Sequence, residues 1–201
     1  MRKERLELFS DGVFAIILTL LVIDLEVPRA FGLAGLREAT PGLLVHAGAF
    51  FVIGMAWITH HQFFEHIRTV GRGLLGWNLL VLFWITLVPY GARIAAADPG
   101  NGLGAAMMAG CVTLSLASTI AMVWLGKFDS AVMDSRNLSW RRRRRNAFLG
   151  EVALGIVCTA LSFVSPWFGY AYLSLGIAAL VVKPVSDVLA AQQAAEAAEG
   201  A

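Results

Sequence analysis

The sequence predicts an all-α integral membrane protein with six transmembrane helices per subunit. Two observations support this fold class. First, 58% of the 201 residues are hydrophobic and only 15% are charged, whereas soluble domains are usually ~45–50% apolar and ~25% charged. Second, several apolar stretches reach the roughly 18–25 residues with which a helix crosses a bilayer. A single membrane domain therefore accounts for most of the chain.

The apolar stretches predict a six-helix domain over residues 1–184. The predicted helices are Phe9–Val27, Leu43–Phe64, Leu74–Ala95, Leu103–Leu125, Ala147–Val164 and Trp167–Val182. Only Ser165 and Pro166 separate the last two, which predicts a tight helical hairpin. Residues 185–201 are rich in Ala, Glu and Gln and form a predicted cytoplasmic tail, either a fraying helix or disordered.

The positions of Lys and Arg predict the orientation of the helices. With the N-terminus in the cytoplasm, 13 of the 16 basic residues lie on the cytoplasmic side. Arg29, Arg37 and Arg93 lie on the far side. Because basic residues are enriched in cytoplasmic loops, both termini are predicted to be cytoplasmic. Asp11 interrupts the first apolar stretch and no cleavage site follows, which disfavours a cleaved signal peptide.

Other features argue against alternative function classes. The run Arg141–Arg145 lies between two spans, so we interpret it as a contact with anionic headgroups rather than with nucleic acid. Cys111 and Cys158 lie in apolar stretches, so we interpret them as small buried hydrophobic residues rather than as a disulfide or a metal site. No HExxH motif, nucleophile elbow or Gly-rich phosphate loop is present, so neither an enzyme nor a cofactor or metal site is predicted.

Polar residues inside the predicted helices require a partner or a function because they are costly in a bilayer. They are Ser10 with Asp11, His46, His60 with His61, and Glu151. Ser10 and Asp11 have an alternative role as a helix N-cap. His60 and His61 point about 100° apart on a helix, which favours hydrogen bonding over a shared metal. His46 and Glu151 are interpreted as interhelical contacts.

The topology brings several of these residues to one depth, near the cytoplasmic ends of the first three helices. A hydrogen-bonded network is therefore possible among Arg5, Ser10, Asp11, His60, His61, Trp77 and Asn78.

The first predicted helix also carries an apolar stripe with alternating spacings of four and three residues. Its members are Phe9, Val13, Ile16, Leu20, Ile23 and Val27. Such a stripe is typical of ordinary helix packing. Around a symmetry axis, however, rings of Ile16, Leu20 and Ile23 would stack about 6 and 4.5 Å apart and form a hydrophobic constriction, with Asp24 and Glu26 near its outer mouth. Spacing alone leaves both interpretations open.

Three motifs resemble the transmembrane protein 175 family, the endolysosomal potassium channels and their bacterial homologues. The first is Arg5-x-x-x-Phe9-Ser10-Asp11, which resembles the family's RxxxFSD signature. The second runs from Trp57 to Phe63, and the third from Trp77-Asn78-Leu79 through Leu87-Val88-Pro89. The resemblance covers the first three helices by motif and the last three by hydropathy.

The resemblance implies a homotetramer of six-helix subunits in a bacterial inner (plasma) membrane, with helix 1 lining a central pore. It implies that Ile16 forms the narrowest ring, that Leu20 and Ile23 form further hydrophobic layers, and that Thr19 forms a polar layer. It also implies that a network around the FSD motif positions helix 1: Arg5, Phe9, Ser10, Asp11, His60, His61, Trp77 and Asn78. The sequence lacks a TVGYG filter, so modest selectivity is expected.

Two function classes follow from these observations. The main hypothesis is a potassium-preferring monovalent cation channel with a hydrophobic gate, whose partners are its own copies, the bilayer and the permeant ion. The alternative is a proton-coupled transporter that uses Asp11, His60 and His61 as a relay. The transporter lacks support from inverted repeats or from paired broken helices.

Overall fold

The structure of the protein is a computed structural model that describes residues 2–65, 67, 70–125 and 138–178. These residues form seven α-helices: α1 Lys3–Leu20, α2 Gly32–Glu65, α3 Arg72–Thr86, α4 Val88–Ala97, α5 Gly102–Leu125, α6 Leu138–Ser162 and α7 at residues 167–178. Only Leu87 separates α3 from α4, so the two form one interrupted segment. The described helices thus make six segments, and the predicted all-α membrane class with six helices per subunit is confirmed.

Three segments of the described chain are long and apolar enough to cross a bilayer. They are Gly32–Glu65, Arg72–Ala97 and Gly102–Met122, with a shorter apolar helix at Leu149–Ser162. The break between α3 and α4 falls next to Pro89, which has no N–H to donate to the carbonyl of Ile85. Transmembrane helices tolerate such breaks where neighbouring helices cover the backbone.

Helix α5 lies at the centre of the bundle and packs against α3, α4 and α6. Its contact with α4 is close because small residues meet there: a methyl group on Gly104 would overlap the backbone of Ala95, and one on Gly91 would lie 3.0 Å from Met108. Small residues let helix backbones approach in a bilayer, where dispersion contacts replace the hydrophobic effect as the source of attraction.

Helix α1 lies at the edge of the bundle and packs mainly against α2 and α3. One face, formed by Leu6, Ser10, Phe14 and Ile17, is buried. The spacing of these residues, four, four and three, follows one side of a helix. An adjoining face of α1, which carries Ile16 and Leu20, is left exposed by the described residues.

The bounds of the first two helices differ from the expected ones. Helix α1 begins at Lys3 and ends at Leu20, and residues 21–24 continue as turns in which the Ile23 amide donates to the Leu20 carbonyl at 3.0 Å. Helix α2 begins at Gly32 (φ 68°) rather than near Leu43 and contains Pro41. Beside this proline the Thr40 hydroxyl donates to the Leu36 carbonyl at 2.7 Å. The carbonyl that loses its amide donor at Pro41 is that of Arg37, one residue further on.

Glu38 orders the connection between α1 and α2. Its Oε2 accepts hydrogen bonds from the backbone amides of Arg29 at 3.1 Å and Ala30 at 3.3 Å. The carboxylate satisfies donors that precede the helix, which accounts for the early start of α2.

The remaining predictions concern the C-terminal part of the chain. The arginine run 141–145 lies in the first half of α6. The end of the sixth predicted helix, residues 179–182, and the tail, residues 185–201, lie outside the described residues.

Candidate functional site

A buried polar cluster lies where α1, α2 and α3 meet. Ser10, His60 and Asn78 are at most 4% exposed. The Asn78 amide nitrogen donates to Ser10 Oγ at 3.1 Å, and the Ser10 hydroxyl donates to the Leu6 carbonyl at 3.0 Å. Asn78 Oδ1 lies 2.7 Å from His60 Nε2, so the proton is assigned to Nε2. One asparagine therefore connects three helices.

Aromatic rings surround the His60 imidazole. The Phe14 ring meets it edge-on at a centroid distance of 5.5 Å, and the Phe64 ring lies 4.6 Å away. In such an apolar setting a hydrogen bond is strong and an unpaired polar group is costly. The cluster consequently favours one rotation of α1 about its own axis.

A second polar group lies beside the first, closer to solvent. The Trp57 indole nitrogen donates to Asp11 Oδ1 at 2.8 Å. The Trp57 ring stacks on the His61 ring at 5.9 Å, and His61 Nε2 lies 3.7 Å from Glu65 Oε1. Asp11 on α1 is therefore attached to the C-terminal part of α2 by a neutral donor, not by a histidine.

The structure brings together part of the expected network. Ser10, His60 and Asn78 are joined directly, and Trp57 connects Asp11 with His61. Trp57 lies in the second motif, Trp57 to Phe63, but it is not among the residues predicted to form the network. Its spacing of four from His61, which puts both side chains on one helix face, is the signal that could have indicated it.

Other expected members of the network lie outside these hydrogen bonds. Arg5 is exposed, Phe9 is half exposed, and Trp77 packs against an apolar cluster. The two residues expected to make interhelical contacts are His46, which is half-buried on α2 with no hydrogen-bond partner for Nδ1 within the described chain, and Glu151, which is exposed on α6. Among the described residues no group of three or more His, Cys, Asp or Glu side chains is placed to hold a metal ion.

The uncovered face of α1 and the turns after it carries the residues expected to line a pore. Ile16 is 59% exposed, Leu20 48% and Ile23 74%. Thr19 is exposed as well, and its hydroxyl donates to the Ile16 carbonyl at 2.9 Å. Because that bond uses the hydroxyl hydrogen, the oxygen lone pairs of Thr19 are free to accept.

A groove of about 400 Å³ runs between α1 and the α3–α4 segment. Its walls are mostly apolar, and its outer end is polar. The lining residues are Val13, Ile16, Ile17, Leu20, Asp24, Thr86, Pro89, Tyr90 and Arg93. At the outer end Arg93 Nη1 lies 3.6 Å from Asp24 Oδ1.

Sequence comparison finds relatives among named channels. A potassium channel of Chamaesiphon minutus is 31% identical over 188 residues, which cover 86% of this chain and 88% of the relative. A potassium channel of Streptomyces collinus is 38% identical over 60% of this chain, and the match spans 62% of that relative, less than two thirds of its length. Relatives from Danio rerio and Homo sapiens are named endosomal/lysosomal proton channel TMEM175.

A solved structure shares the fold. It is described as a lysosomal potassium-selective channel TMEM175 homolog from Chamaesiphon minutus, and it matches with a TM-score of 0.76 at 24% identity over 90% of this chain and 97% of that one. The family model described as endosomal/lysosomal potassium channel TMEM175 matches residues 5–89, the segment that contains most of α1, all of α2 and α3, and the buried polar cluster. The motifs, the fold and the nearly full-length Chamaesiphon relative together place this chain in the TMEM175 family.

Proposed function

We propose that this chain is one subunit of a monovalent cation channel that prefers potassium, with a pore lined by α1 from four copies. One observation carries the proposal. Helix α1 is buried and hydrogen-bonded on one face, whereas an adjoining face leaves Ile16 and Leu20 exposed. A helix held in this way presents the same aliphatic residues to a shared axis in every copy.

The proposed constriction acts by excluding water. Rings of Ile16, Leu20 and Ile23 around an axis form a narrow aliphatic segment of the kind that gates by dewetting. Thr19 supplies a layer of hydroxyl oxygens between two of these rings. Without a TVGYG carbonyl filter in the sequence, selectivity for potassium over sodium is expected to be modest.

The buried cluster has a positioning role in this proposal. Ser10 and Asn78 join α1 to α3, and His60 joins the same amide to α2. Asp11, with Trp57, adds a second attachment near solvent. These contacts tie α1 to α2 and α3, and in this proposal they set which side chains reach the axis.

The names of the relatives support a monovalent cation as the permeant species. Two bacterial relatives are named potassium channels and the vertebrate ones proton channels. Potassium is favoured here because a nearly full-length match is with a potassium channel.

The membrane arrangement completes the proposal. Residues 1–184 form the channel domain and residues 185–201 a cytoplasmic tail. Both termini face the cytoplasm of a bacterium, and the channel lies in its inner membrane. The charge asymmetry of the loops supports this orientation, with Arg29, Arg37 and Arg93 on the outer side.

Ion flux in liposomes tests the proposal. Purified protein is reconstituted, and potassium efflux is compared for the wild type, Ile16→Asn and Ile156→Asn. Ile156 is a matched control because it is 60% exposed on α6, against 59% for Ile16 on α1. A polar ring at a hydrophobic constriction wets it, so Ile16→Asn is expected to raise flux while Ile156→Asn does not. Equal flux for all three proteins would contradict the pore assignment.

The same vesicles separate a channel from a proton-coupled transporter. A proton gradient is imposed with potassium equal on both sides. A channel dissipates gradients and accumulates nothing, whereas a transporter that uses Asp11, His60 and His61 would drive potassium uphill. Uphill uptake would overturn the channel proposal.

A further inference from the structure

An ion pair closes the outer end of the groove beside α1. Asp24 lies in the turns that follow α1, and Arg93 lies in the last half of α4. The guanidinium Nη1 is 3.6 Å from Asp24 Oδ1. The Arg93 side chain is 68% exposed and that of Asp24 37% exposed, so the pair faces solvent in the single chain.

Asp24 continues the row of aliphatic residues proposed to line the pore. Ile16 and Leu20 near the end of α1, and Asp24 in the turns that follow, all line the groove. Tyr90 and Arg93 line the opposite wall from α4. The carboxylate therefore lies on the pore-facing side just beyond Leu20, and the guanidinium reaches it from the neighbouring segment.

We propose that Arg93 determines the cation conductance of the outer mouth by neutralising Asp24; this inference rests on the proposed pore. Each copy contributes one carboxylate and one guanidinium, so the ring they form has no net charge. A ring of unpaired carboxylates at a mouth concentrates cations, and a ring of unpaired guanidiniums repels them. Arg93 thus limits the local concentration of potassium that Asp24 would otherwise raise.

Other charges on the outer side do not replace this pair. Glu38 is engaged with the amides of Arg29 and Ala30. Glu26 is exposed in the following loop, and Arg37 is exposed on α2 outside the groove. Arg93 is accordingly the basic group within salt-bridge distance of Asp24 in the described part of the chain.

The direction in which two substitutions change the conductance separates this electrostatic role from a purely mechanical one. If the pair only tethers the turn after α1 to α4, then Arg93→Gln and Asp24→Asn break the same tether and change conductance in the same direction. If charge is what matters, the two variants change it in opposite directions.

Single-channel recording of the full-length channel in planar bilayers tests the inference. At about 20 mM KCl, Arg93→Gln is expected to raise potassium conductance about twofold and Asp24→Asn to lower it by a similar factor. Both effects should shrink at about 1 M KCl, where the screening length is only about 3 Å. Arg37→Gln removes an equal charge from the same side outside the groove and should leave conductance close to that of the wild type.

A second measurement uses channels that are already folded. Arg93→Cys, in a background with Cys111→Ala and Cys158→Ala, is treated with a cationic or an anionic thiol reagent during recording. The cationic adduct should return conductance toward the wild-type value, and the anionic adduct should raise it further. Equal responses to the two reagents, or same-direction shifts for Arg93→Gln and Asp24→Asn, would overturn the role of Arg93. A wild-type oligomer that carries no current would instead overturn the proposed channel itself.

Discussion

Asn78 makes contacts that no apolar residue of the same size could make. Its amide nitrogen donates to Ser10 and its amide oxygen accepts from His60, and the side chain is fully buried. In water both groups would be solvated, so the cluster stabilises the fold only because every member is paired. Loss of one member leaves another unpaired in an apolar environment, which costs more than a hydrogen bond contributes.

Asn78→Leu should therefore destabilise the protein. Leucine has a similar size but leaves His60 Nε2 without its partner, and we expect a loss of about 1–3 kcal/mol. Tryptophan fluorescence during thermal unfolding in detergent measures the change. Ser174→Ala is the control, because this exposed hydroxyl bonds only to the Tyr170 carbonyl one turn earlier. Equal melting temperatures for Asn78→Leu and the wild type would contradict the importance of the cluster.

Gly155 on α6 marks a close approach between helices. A methyl group there would overlap Thr113 Oγ1 and lie 2.7 Å from the Tyr172 hydroxyl. Gly155→Ala should cost about 1–3 kcal/mol through overpacking. Gly150→Ala on the same helix meets nothing within 4 Å and should be neutral or slightly stabilising, since alanine is the better helix former. The two variants are compared by thermal unfolding, and similar melting temperatures would show that α6 can shift away from α5.

At the scale of elements, α1 combines a buried face with an uncovered one. Leu6, Phe14 and Ile17 pack inward, and Ile16 and Leu20 are exposed beside the groove between α1 and the α3–α4 segment. Asp11, which accepts the Trp57 N–H, lies at the middle of α1. The Asp24–Arg93 pair holds the turns that follow α1, so the second half of the helix, with Ile16, lies between two polar contacts.

Trp57→Phe tests the hydrogen bond by which Trp57 on α2 holds Asp11 on α1. Phenylalanine can still stack on His61 but has no N–H for Asp11, so we expect the protein to lose about 1 kcal/mol and amides near Asp11 to exchange faster. Hydrogen–deuterium exchange with mass spectrometry reads the α1 peptide directly. Asp11→Asn is the control, because its side-chain oxygen still accepts the indole N–H. Unchanged exchange in Trp57→Phe would show that the indole bond does not hold α1.

At the scale of the whole molecule, the proposed pore cannot be formed by one chain. A pore lined by a single helix per copy requires several copies, and exposed aliphatic residues on α1 give no indication of their number. The uncovered apolar residues of α6 and α7, among them Ile156, Val157 and Trp167, are by contrast suited to contact with lipid.

Cysteine cross-linking tests the arrangement of copies. Ile16→Cys in a background with Cys111→Ala and Cys158→Ala should form disulfide-linked dimers in membranes after mild oxidation, because side chains around a narrow axis approach within bonding range. Val157→Cys, which is 53% exposed on α6, should not. Native mass spectrometry should give four times the 21.6 kDa chain mass. A monomeric mass without cross-links would rule out a shared axis.

Much of the fold could be predicted because hydropathy over a window of residues depends only on the residues in that window. The break at Pro89 and the early start of α2 escaped prediction, since both depend on contacts that satisfy the backbone locally. For the polar cluster, the motifs indicated Ser10, His60 and Asn78, yet the partner of Asp11 proved to be Trp57. Which residues meet depends on how far each helix is rotated, and hydropathy carries no information on rotation.

Helix α1 shows most clearly what each level decided. The sequence by itself determined that this segment is a membrane helix with an RxxxFSD motif. It also determined that the domain consists of six membrane helices. The segment that forms α1 carries two apolar stripes. One contains Phe9, Ile16 and Leu20, and the other contains Leu6, Phe14 and Ile17. Judged by hydropathy alone, either stripe could have faced the bundle. Only the tertiary structure buried the second, because Ser10 lies on that stripe and has hydrogen-bond partners on α3 in the protein interior.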